Sequence, residues 1–298
     1  MTRRELITMS SIIKQTVRPL VHAVLGMVSK HRLAGATIDD AMETCAYLQE
    51  RGYLLTLGYW NIGSEKPAEI VAAYQEAIGQ IREKQIEASI SIKAWSFNHD
   101  RVLYQRMLDH GRRLSVPIHF DSHLVDSADI IFSMIKEDTP LPRADIGCTL
   151  PGRWKRSVGD TRLVDELGVN VRIVKGQAAD PGDPDVDAEQ GFLDVVRELA
   201  GRALRVEVAT HNYQLARKSL EILNASNTPC ELQLLYGLPV KHMFSLVREL
   251  NVPVCIYVPY GSGWLMYALS SMLKNPKVIF SLFRDLLGDD YRKQFPVL

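Results

Sequence analysis

The stretch Asn170-Val-Arg-Ile-Val-Lys-Gly176 has the composition of a short β-strand, because β-branched residues are frequent in it. Its carboxyl end presents Arg172 and Lys175, and Gly176 then breaks the strand before a polar segment of helical length begins. Two cations that leave the same strand end require an anionic or electron-rich partner. The fold decides which other strand ends lie beside them, and so what that partner is.

Seven further apolar or β-branched runs recur along the chain, separated by stretches with helical periodicity. Successive runs start 23 to 35 residues apart, the length of one strand, one helix and two loops. Such units favour a parallel sheet covered by helices, and eight of them favour closure into a barrel. The predicted fold class is α/β, a (βα)8 TIM-like barrel with extra N-terminal and C-terminal helices. The predicted strands begin near Tyr53, Ala88, Val116, Ala144, Asn170, Arg205, Cys230 and Pro253.

An open, doubly wound sheet is the alternative fold. It would require a Gly-x-Gly-x-x-Gly turn between an early strand and the following helix. The first predicted strand instead runs into Gly58-Tyr-Trp-Asn-Ile-Gly63, which has neither that spacing nor a helix start. The barrel is therefore preferred.

The sequence indicates one domain over residues 1–298. Residues 1–36 read as an N-terminal helical segment, and residues 37–298 as the barrel. Thr37-Ile-Asp-Asp40 has the sequence of a helix cap, the helix runs to about Arg51, and Gly52 ends it. The run Val278-Ile-Phe-Ser-Leu-Phe-Arg-Asp-Leu-Leu287 is amphipathic at helical spacing and is assigned to core or dimer packing.

Composition excludes several classes of protein. Thirty-five basic and thirty-five acidic residues cancel, so no bulk charge favours nucleic acid or a membrane surface. No apolar run reaches the length of a transmembrane helix. The four cysteines are scattered without metal-ligand spacing, which favours reduced thiols and a cytoplasmic protein.

In a barrel of this type the active site lies at the carboxyl ends of the strands. The residues at those ends are rich in cations, hydrogen-bond donors and aromatic rings, and poor in paired carboxylates. They are Lys93 and Trp95; Asp121, Ser122 and His123; Arg172 and Lys175; Thr210, His211 and Asn212; Gln233, Tyr236 and Gly237; Tyr257 and Tyr260.

Elimination leaves two chemistries open. A glycosidase needs two facing carboxylates, and only Asp121 stands out. His123, His211 and Asp121 could supply three metal ligands, but no motif supports such a site, and no metal is predicted. A Schiff-base lyase could use Lys93 or Lys175, since a neighbouring cation activates a lysine amine. A flavin would equally use cations and donors around its ring system and pyrophosphate.

Five segments at or near the strand ends form an ordered motif set. They are Ser91-Ile-Lys93-Ala-Trp-Ser, Val171-Arg-Ile-Val-Lys-Gly176, Ala209-Thr-His-Asn212, Glu231-Leu-Gln-Leu-Leu-Tyr-Gly237 and Tyr257-Val-Pro-Tyr-Gly261. In order and in spacing they resemble the motif set of the proline dehydrogenase family, and the resemblance extends from about Thr37 to Asn275. In that family the barrel binds FAD, and the enzyme removes hydride from the carbon beside the ring nitrogen of proline to give pyrroline-5-carboxylate.

The resemblance implies roles for individual residues. Arg172 matches the arginine that approaches the flavin N5 edge, and Lys93, Arg172 and Tyr257 are the implied catalytic residues. The implied substrate pocket contains Lys93, Asp121, Leu235 and Tyr257, with Ser270 and Ser271 on the final helix. The implied cofactor contacts are Arg172, Lys175, Gly176, Thr210, His211, Asn212, Gln233 and Tyr236.

Three departures from the family fall mainly on the substrate side. Where the family has an Arg-Arg pair that clamps the proline carboxylate, this chain has Tyr267-Ala-Leu-Ser270-Ser271. Gln177-Ala178 replaces a family Ala-Tyr, and Leu150-Pro-Gly-Arg-Trp154 replaces a run with a cofactor-binding glutamine. Charge-assisted hydrogen bonds are worth roughly 1.5–3 kcal/mol each. Losing two arginines should therefore weaken proline binding by orders of magnitude.

The sequence therefore predicts an FAD-dependent oxidoreductase, a flavoprotein of the proline dehydrogenase type that oxidises the C–N bond of an amine or imine. Its predicted substrate is related to proline but is not free proline, and Arg153 is a candidate replacement cation. Ordinary proline oxidation, a flavin-free Schiff-base lyase and a non-catalytic binding barrel stay open as alternatives.

The predicted partners are a small-molecule amine or proline-like substrate and an electron acceptor, with quinone and oxygen both open. A homo-oligomer is also open, and no nucleic-acid partner is expected. Because some members of the family pass electrons to membrane quinone, peripheral membrane contact through the first or last helix is a secondary expectation beside a cytoplasmic location.

Overall fold

A computed structural model describes residues 37–139, 143, 145–261, 263 and 291–298. Within them, eight parallel strands close into a barrel in chain order, with the first strand paired to the eighth. The predicted α/β barrel is confirmed. The strands are β1 (Leu54–Tyr59), β2 (Ala88–Ile92), β3 (Ile118–Phe120), β4 (Ile146–Pro151), β5 (Asn170–Val174), β6 (Val206–Ala209), β7 (Cys230–Leu235) and β8 (Val254–Tyr260).

Helices precede the barrel and connect its strands. The first, α1, begins after Thr37, whose side chain accepts from the Asp40 amide in a reciprocal capping box, as the sequence predicted. The helices are α1 (Ile38–Gln49), α2 (Pro67–Glu83), α3 (Arg101–Arg113), α4 (Ala128–Asp138), α5 (Arg156–Leu167), α6 (Ala188–Glu198), α7 (Tyr213–Ala225) and α8 (Phe244–Leu250). None of these described helices is long and apolar enough to cross a membrane.

Side-chain alternation places the hydrophobic core outside the barrel and polar groups inside it. On β6, for example, Val206 and Val208 are fully buried apolar residues, whereas Glu207 between them bonds to the inward-facing Arg172. The interior is thus unusually polar for a barrel of this kind, which is commonly filled by branched apolar side chains. This polar interior supports the groups at the mouth.

The last described segment packs against the outside of the barrel. Phe295 makes ring contacts with Tyr53, Tyr236 and Phe244, and the Tyr291 hydroxyl accepts from the Gly237 amide. The predicted N-terminal helical segment, residues 1–36, and the amphipathic run 278–287 lie outside the described residues. The single-domain assignment stays a prediction.

Candidate active site

The carboxyl ends of the strands surround a cavity of about 410 Å³. Trp60 after β1 also lines it, beside residues that the sequence analysis assigned to cofactor or substrate. Those residues are Asp121, Arg172, Lys175, Thr210, His211, Asn212, Gln233, Leu235 and Tyr257.

Arg172 is the central cation of this site. Its Nε donates to Glu207 Oε2 at 3.0 Å, and its Nη1 donates to Ser91 Oγ at 3.0 Å and to Asp121 Oδ1 at 2.9 Å. Its Nη2 is buried and has no hydrogen-bond acceptor among the described residues. The guanidinium is therefore fixed on two sides and retains unused donors on the third.

Lys93, Asp121 and Tyr257 form the adjoining part of the site. The Lys93 Nζ lies 3.4 Å from Asp121 Oδ2 and donates to the Tyr59 carbonyl at 3.1 Å. The Tyr257 hydroxyl donates to Asp121 Oδ2 at 3.2 Å. The Lys93 Nζ also lies 4.6 Å from the centroid of the Trp60 ring, close enough for a cation–π interaction.

Burial and charge fix the protonation states of this group. Burial by itself raises the pKa of Asp121, but the charges of Lys93 and Arg172 outweigh it and hold the pKa below its usual value. Burial also raises the pKa of Tyr257, and the Asp121 charge raises it further. At neutral pH the site therefore contains an aspartate anion beside a neutral tyrosine that can donate a hydrogen bond.

The rim near β5 and β6 is held by a second hydrogen-bond network. Lys175 forms an ion pair with Glu189 on α6, and Glu189 Oε1 also accepts from Asn212 Nδ2 at 3.0 Å. Asn212 in turn caps α7 by accepting from the amides of Gln214 and Leu215. This network joins the ends of two strands to the helices that follow them.

His211 connects the ends of β6 and β7. Its Nε2 accepts from the Leu235 amide at 2.9 Å, and its Nδ1 lies 3.2 Å from the Pro239 carbonyl as a donor. Burial lowers the pKa of His211 to about 4, so the ring is neutral at pH 7. Both ring nitrogens are thus occupied by the protein itself.

Some residues predicted for the site lie elsewhere. Tyr236 is fully buried and stacks on Phe295 outside the barrel, and it does not line the mouth cavity. Trp95 and His123 stack on each other with ring centroids 4.6 Å apart, also outside the cavity lining. Ser270 and Ser271, which stand where the family has its arginine pair, lie outside the described residues.

Gly176 and Arg153 lie close together beside the cavity. Gly176 has a φ of 88°, and a Cβ added to it would come within 2.9 Å of the Pro151 Cβ and 3.3 Å of the Arg153 Cβ. The Arg153 Nε is buried without a hydrogen-bond partner among the described residues. Only glycine fits this turn, which allows the backbone after β5 to remain close to β4.

Glu207 and Ser91 both contact Arg172, and neither had a predicted role in the site. A signal for Glu207 was present, because a lone acid between the apolar residues Val206 and Val208 must face a polar interior. Gln233, predicted as a cofactor contact, donates to this same Glu207 at 3.0 Å.

The Schiff-base alternative gains no support from this geometry. Lys93 and Lys175 each form an ion pair with a carboxylate of the protein. A nucleophilic lysine requires the opposite environment. Within the described residues, no group of three or more histidine, cysteine or acidic side chains is placed to hold a metal ion.

Comparison with known proteins connects this geometry to one family. Proline dehydrogenase 1 of Bacillus subtilis is 28% identical over 264 residues, which is 82% of this chain and 85% of that protein. The chain is a relative of the proline dehydrogenases. Proline dehydrogenase 2 of the same organism is 21% identical over 276 residues, covering 85% of this chain and 88% of the relative. The predicted resemblance to the proline dehydrogenase family is confirmed. No protein-family model matches the chain.

Solved structures show the same barrel. Proline utilization A from Bdellovibrio bacteriovorus, inactivated by N-propargylglycine, has a TM-score of 0.72 at 13% identity, covering 97% of this chain and 36% of that one. The protein of the same name from Corynebacterium freiburgense has a TM-score of 0.68 at 15% identity, covering 100% of this chain and 36% of that one. The chain thus spans about a third of these larger proteins, and the likeness shows the fold.

Proposed function

We propose that this proline dehydrogenase relative is a flavin-dependent oxidoreductase that acts on the CH–NH group of a proline-related amine. The observation that carries the proposal is the buried Arg172, which lines the mouth cavity and has an Nη2 without an acceptor among the described residues. A buried, unused cationic donor stabilises a group that gains negative charge on reduction, as a flavin does.

The residues at the mouth fit FAD. Bound FAD would supply a hydride acceptor for oxidation of the amine. Arg172 would donate to its ring system, Lys175 would contribute a second cation at the rim, and the hydroxyl of Thr210 would add a polar contact. Gly176 supports the fit because its backbone lacks a Cβ where the chain turns beside the cavity. His211 would act indirectly, by fixing the ends of β6 and β7.

The substrate side would bind the amine through Asp121 and Tyr257. The Asp121 anion, which its lowered pKa keeps ionised at neutral pH, attracts the ammonium form of the substrate. That form would lose its N–H proton to solvent before hydride leaves the neighbouring carbon. Lys93 and Tyr257 hold the Asp121 carboxylate in one orientation. Leu235 supplies an apolar wall for the carbon skeleton.

The substrate proposed is a secondary amine related to proline whose carboxylate is absent, masked or placed elsewhere. Two observations support this class. Ser270 and Ser271 replace the family arginine pair in the sequence. In the described structure, Lys93 and Lys175 each already pair with a carboxylate of the protein, so a substrate carboxylate would have to compete for them.

Anaerobic reduction of the flavin-loaded protein by a matched series tests the substrate class. Proline, proline amide and pyrrolidine share the ring nitrogen and differ in the carboxylate. We expect the amide or pyrrolidine to bleach the flavin at least tenfold faster than proline. Equal or faster bleaching by proline would establish ordinary proline oxidation instead.

Quinone and oxygen are the proposed electron acceptors. Reoxidation of the reduced protein by air, compared with reoxidation by a soluble quinone, distinguishes them. An oxygen-independent reoxidation would assign the protein to the quinone-linked group.

A further inference from the structure

Two cavities of the barrel meet at one ion pair. Arg172 lines the mouth cavity, whereas Glu207 lines a second cavity of about 760 Å³ at the amino ends of the strands. The two residues lie opposite each other in the register of β5 and β6. They are only 3% and 8% exposed, so water screens this ion pair much less than a surface pair.

We propose that Glu207 is a positioning residue of the oxidation site. It orients the Arg172 guanidinium so that Nη2 is left for the cofactor, and it sets the net positive charge that Arg172 presents there. This inference rests on the proposed flavin chemistry and adds a residue that does not touch substrate or cofactor.

The orientation follows from the planarity of the guanidinium group. Glu207 accepts a hydrogen bond from Nε, while Ser91 and Asp121 both accept from Nη1. Because the group is a rigid fork, fixing Nε and Nη1 also fixes the direction of Nη2. Loss of Glu207 would free the fork to rotate.

Glu207 is itself held in place from two further directions. Gln233 Nε2 donates to the same Oε2 atom at 3.0 Å. The His119 Nδ1 lies 3.5 Å from Oε1, and His119 Nε2 lies 3.0 Å from Thr149 Oγ1. A carboxylate with this many partners has few accessible rotamers, which is what a positioning role requires.

The charge of Glu207 offsets part of the charge of Arg172. Burial by itself raises the pKa of Glu207, but His119 and Arg172 outweigh it, so Glu207 is an anion at neutral pH. Replacing this anion by a neutral isostere leaves more positive charge at Arg172. Since a reduced flavin is the more negative form, the midpoint potential of the bound flavin should rise.

Glu231 provides a matched control. It lies next to Glu207 in the register of β6 and β7 and is 3% exposed. Its ion pair is with Arg205 at 3.1 Å, and in the described part of the chain no hydrogen bond or ion pair joins it to Arg172. Glu231→Gln therefore changes a buried acid on the neighbouring strand without releasing the Arg172 fork.

The test is the midpoint potential of the bound flavin in Glu207→Gln, Glu231→Gln and the wild type, together with kcat and KM for the amine. We expect the midpoint potential in Glu207→Gln to exceed that in Glu231→Gln by about 30 mV or more. For a two-electron couple, this difference favours the reduced flavin at least tenfold more. The kcat should fall while KM stays unchanged, because Glu207 does not touch the substrate. Equal potentials in the two variants would overturn the role of Glu207.

Glu207→Asp keeps the negative charge but shortens the side chain. We expect it to retain the wild-type potential while lowering kcat, and wild-type kcat would count against positioning. If Glu207→Gln does not fold, the kcat of Glu207→Asp tests the positioning role by itself. A wild-type protein that takes up no flavin would overturn the proposed function and this inference together, whereas flavin-loaded variants identical to wild type would overturn this inference alone.

Discussion

The hydroxyl of Tyr257 on β8 lies in the space that a side chain at Gly58 on β1 would occupy. Glycine at this position lets the tyrosine ring lie across the barrel mouth, where its hydroxyl donates to Asp121 at 3.2 Å. The position of a proposed catalytic residue thus depends on the absence of a side chain on the neighbouring strand.

Gly58→Ala should therefore displace Tyr257 and lower amine turnover roughly tenfold or more, a change of ~1.4 kcal/mol in activation free energy. Flavin content should remain near that of the wild type. Gly79→Ala is the control, because a Cβ at this helical glycine would meet no atom within 4 Å. Wild-type kinetics in Gly58→Ala would show that Tyr257 does not act on the substrate.

Lys93→Met should impair the substrate side without removing the flavin. The variant loses the cation that lies 3.4 Å from Asp121 Oδ2. A charge-assisted contact is worth roughly 1.5–3 kcal/mol, so turnover should fall roughly 10- to 150-fold. Lys84→Met removes an exposed lysine that pairs with Asp39 and serves as the control. Borohydride trapping of a substrate adduct on Lys93 in the wild type would instead restore the Schiff-base alternative.

Arg172→Lys should weaken FAD uptake, because lysine keeps the charge but cannot form the rigid fork. Alanine is a poorer choice, since it would leave Asp121 and Glu207 buried without their cation and destabilise the fold by about 3–5 kcal/mol. FAD titration followed by absorbance gives the affinity. Arg217→Lys, on the outer face of α7 and paired with Glu249, is the control for the substitution itself. Unchanged FAD affinity in Arg172→Lys would remove Arg172 from the cofactor site.

Glu231→Gln should remove a loss of stability that the wild type shows as pH rises from about 4 to 7. Burial raises the pKa of Glu231 to about 7, and the charge of Glu207 adds to the rise. In the unfolded chain a glutamate ionises near its ordinary value of about 4.3. Between these two values the folded state holds the extra proton, so the stability that Glu231 contributes falls as pH rises toward 7.

Thermal unfolding from pH 4 to pH 8 measures this difference. The wild type should lose stability relative to Glu231→Gln as pH rises through this range, with the gap levelling off above about pH 7. Parallel curves for the two proteins would mean that the pKa of Glu231 is the same in the folded and unfolded states.

The barrel could be predicted from the sequence because its signal is repeated. Eight apolar runs at strand-plus-helix spacing are compatible with few other folds. The helix cap at Thr37 also predicted the start of α1 to the exact residue. Strand starts were less accurate: β3 and β4 begin at Ile118 and Ile146, two residues after the predicted starts near Val116 and Ala144.

The site could be predicted only where a residue follows a strand or matches a motif. Tyr236 was predicted at the mouth because it follows the seventh strand and lies in a motif segment. Side-chain alternation on β7 instead turns Gln233 inward and Tyr236 outward, where it stacks on Phe295. The partners of Arg172 are farther apart in sequence, at Ser91, Asp121 and Glu207. Only barrel closure brings these side chains together, so no local pattern could specify their pairing.

The most direct test of the account is the visible absorption spectrum of the purified protein supplied with FAD, recorded before and after anaerobic addition of proline amide. We expect a two-banded flavin spectrum that the amide bleaches. A colourless protein that does not take up added FAD would contradict the flavin-dependent function and the role of Arg172 on which it rests.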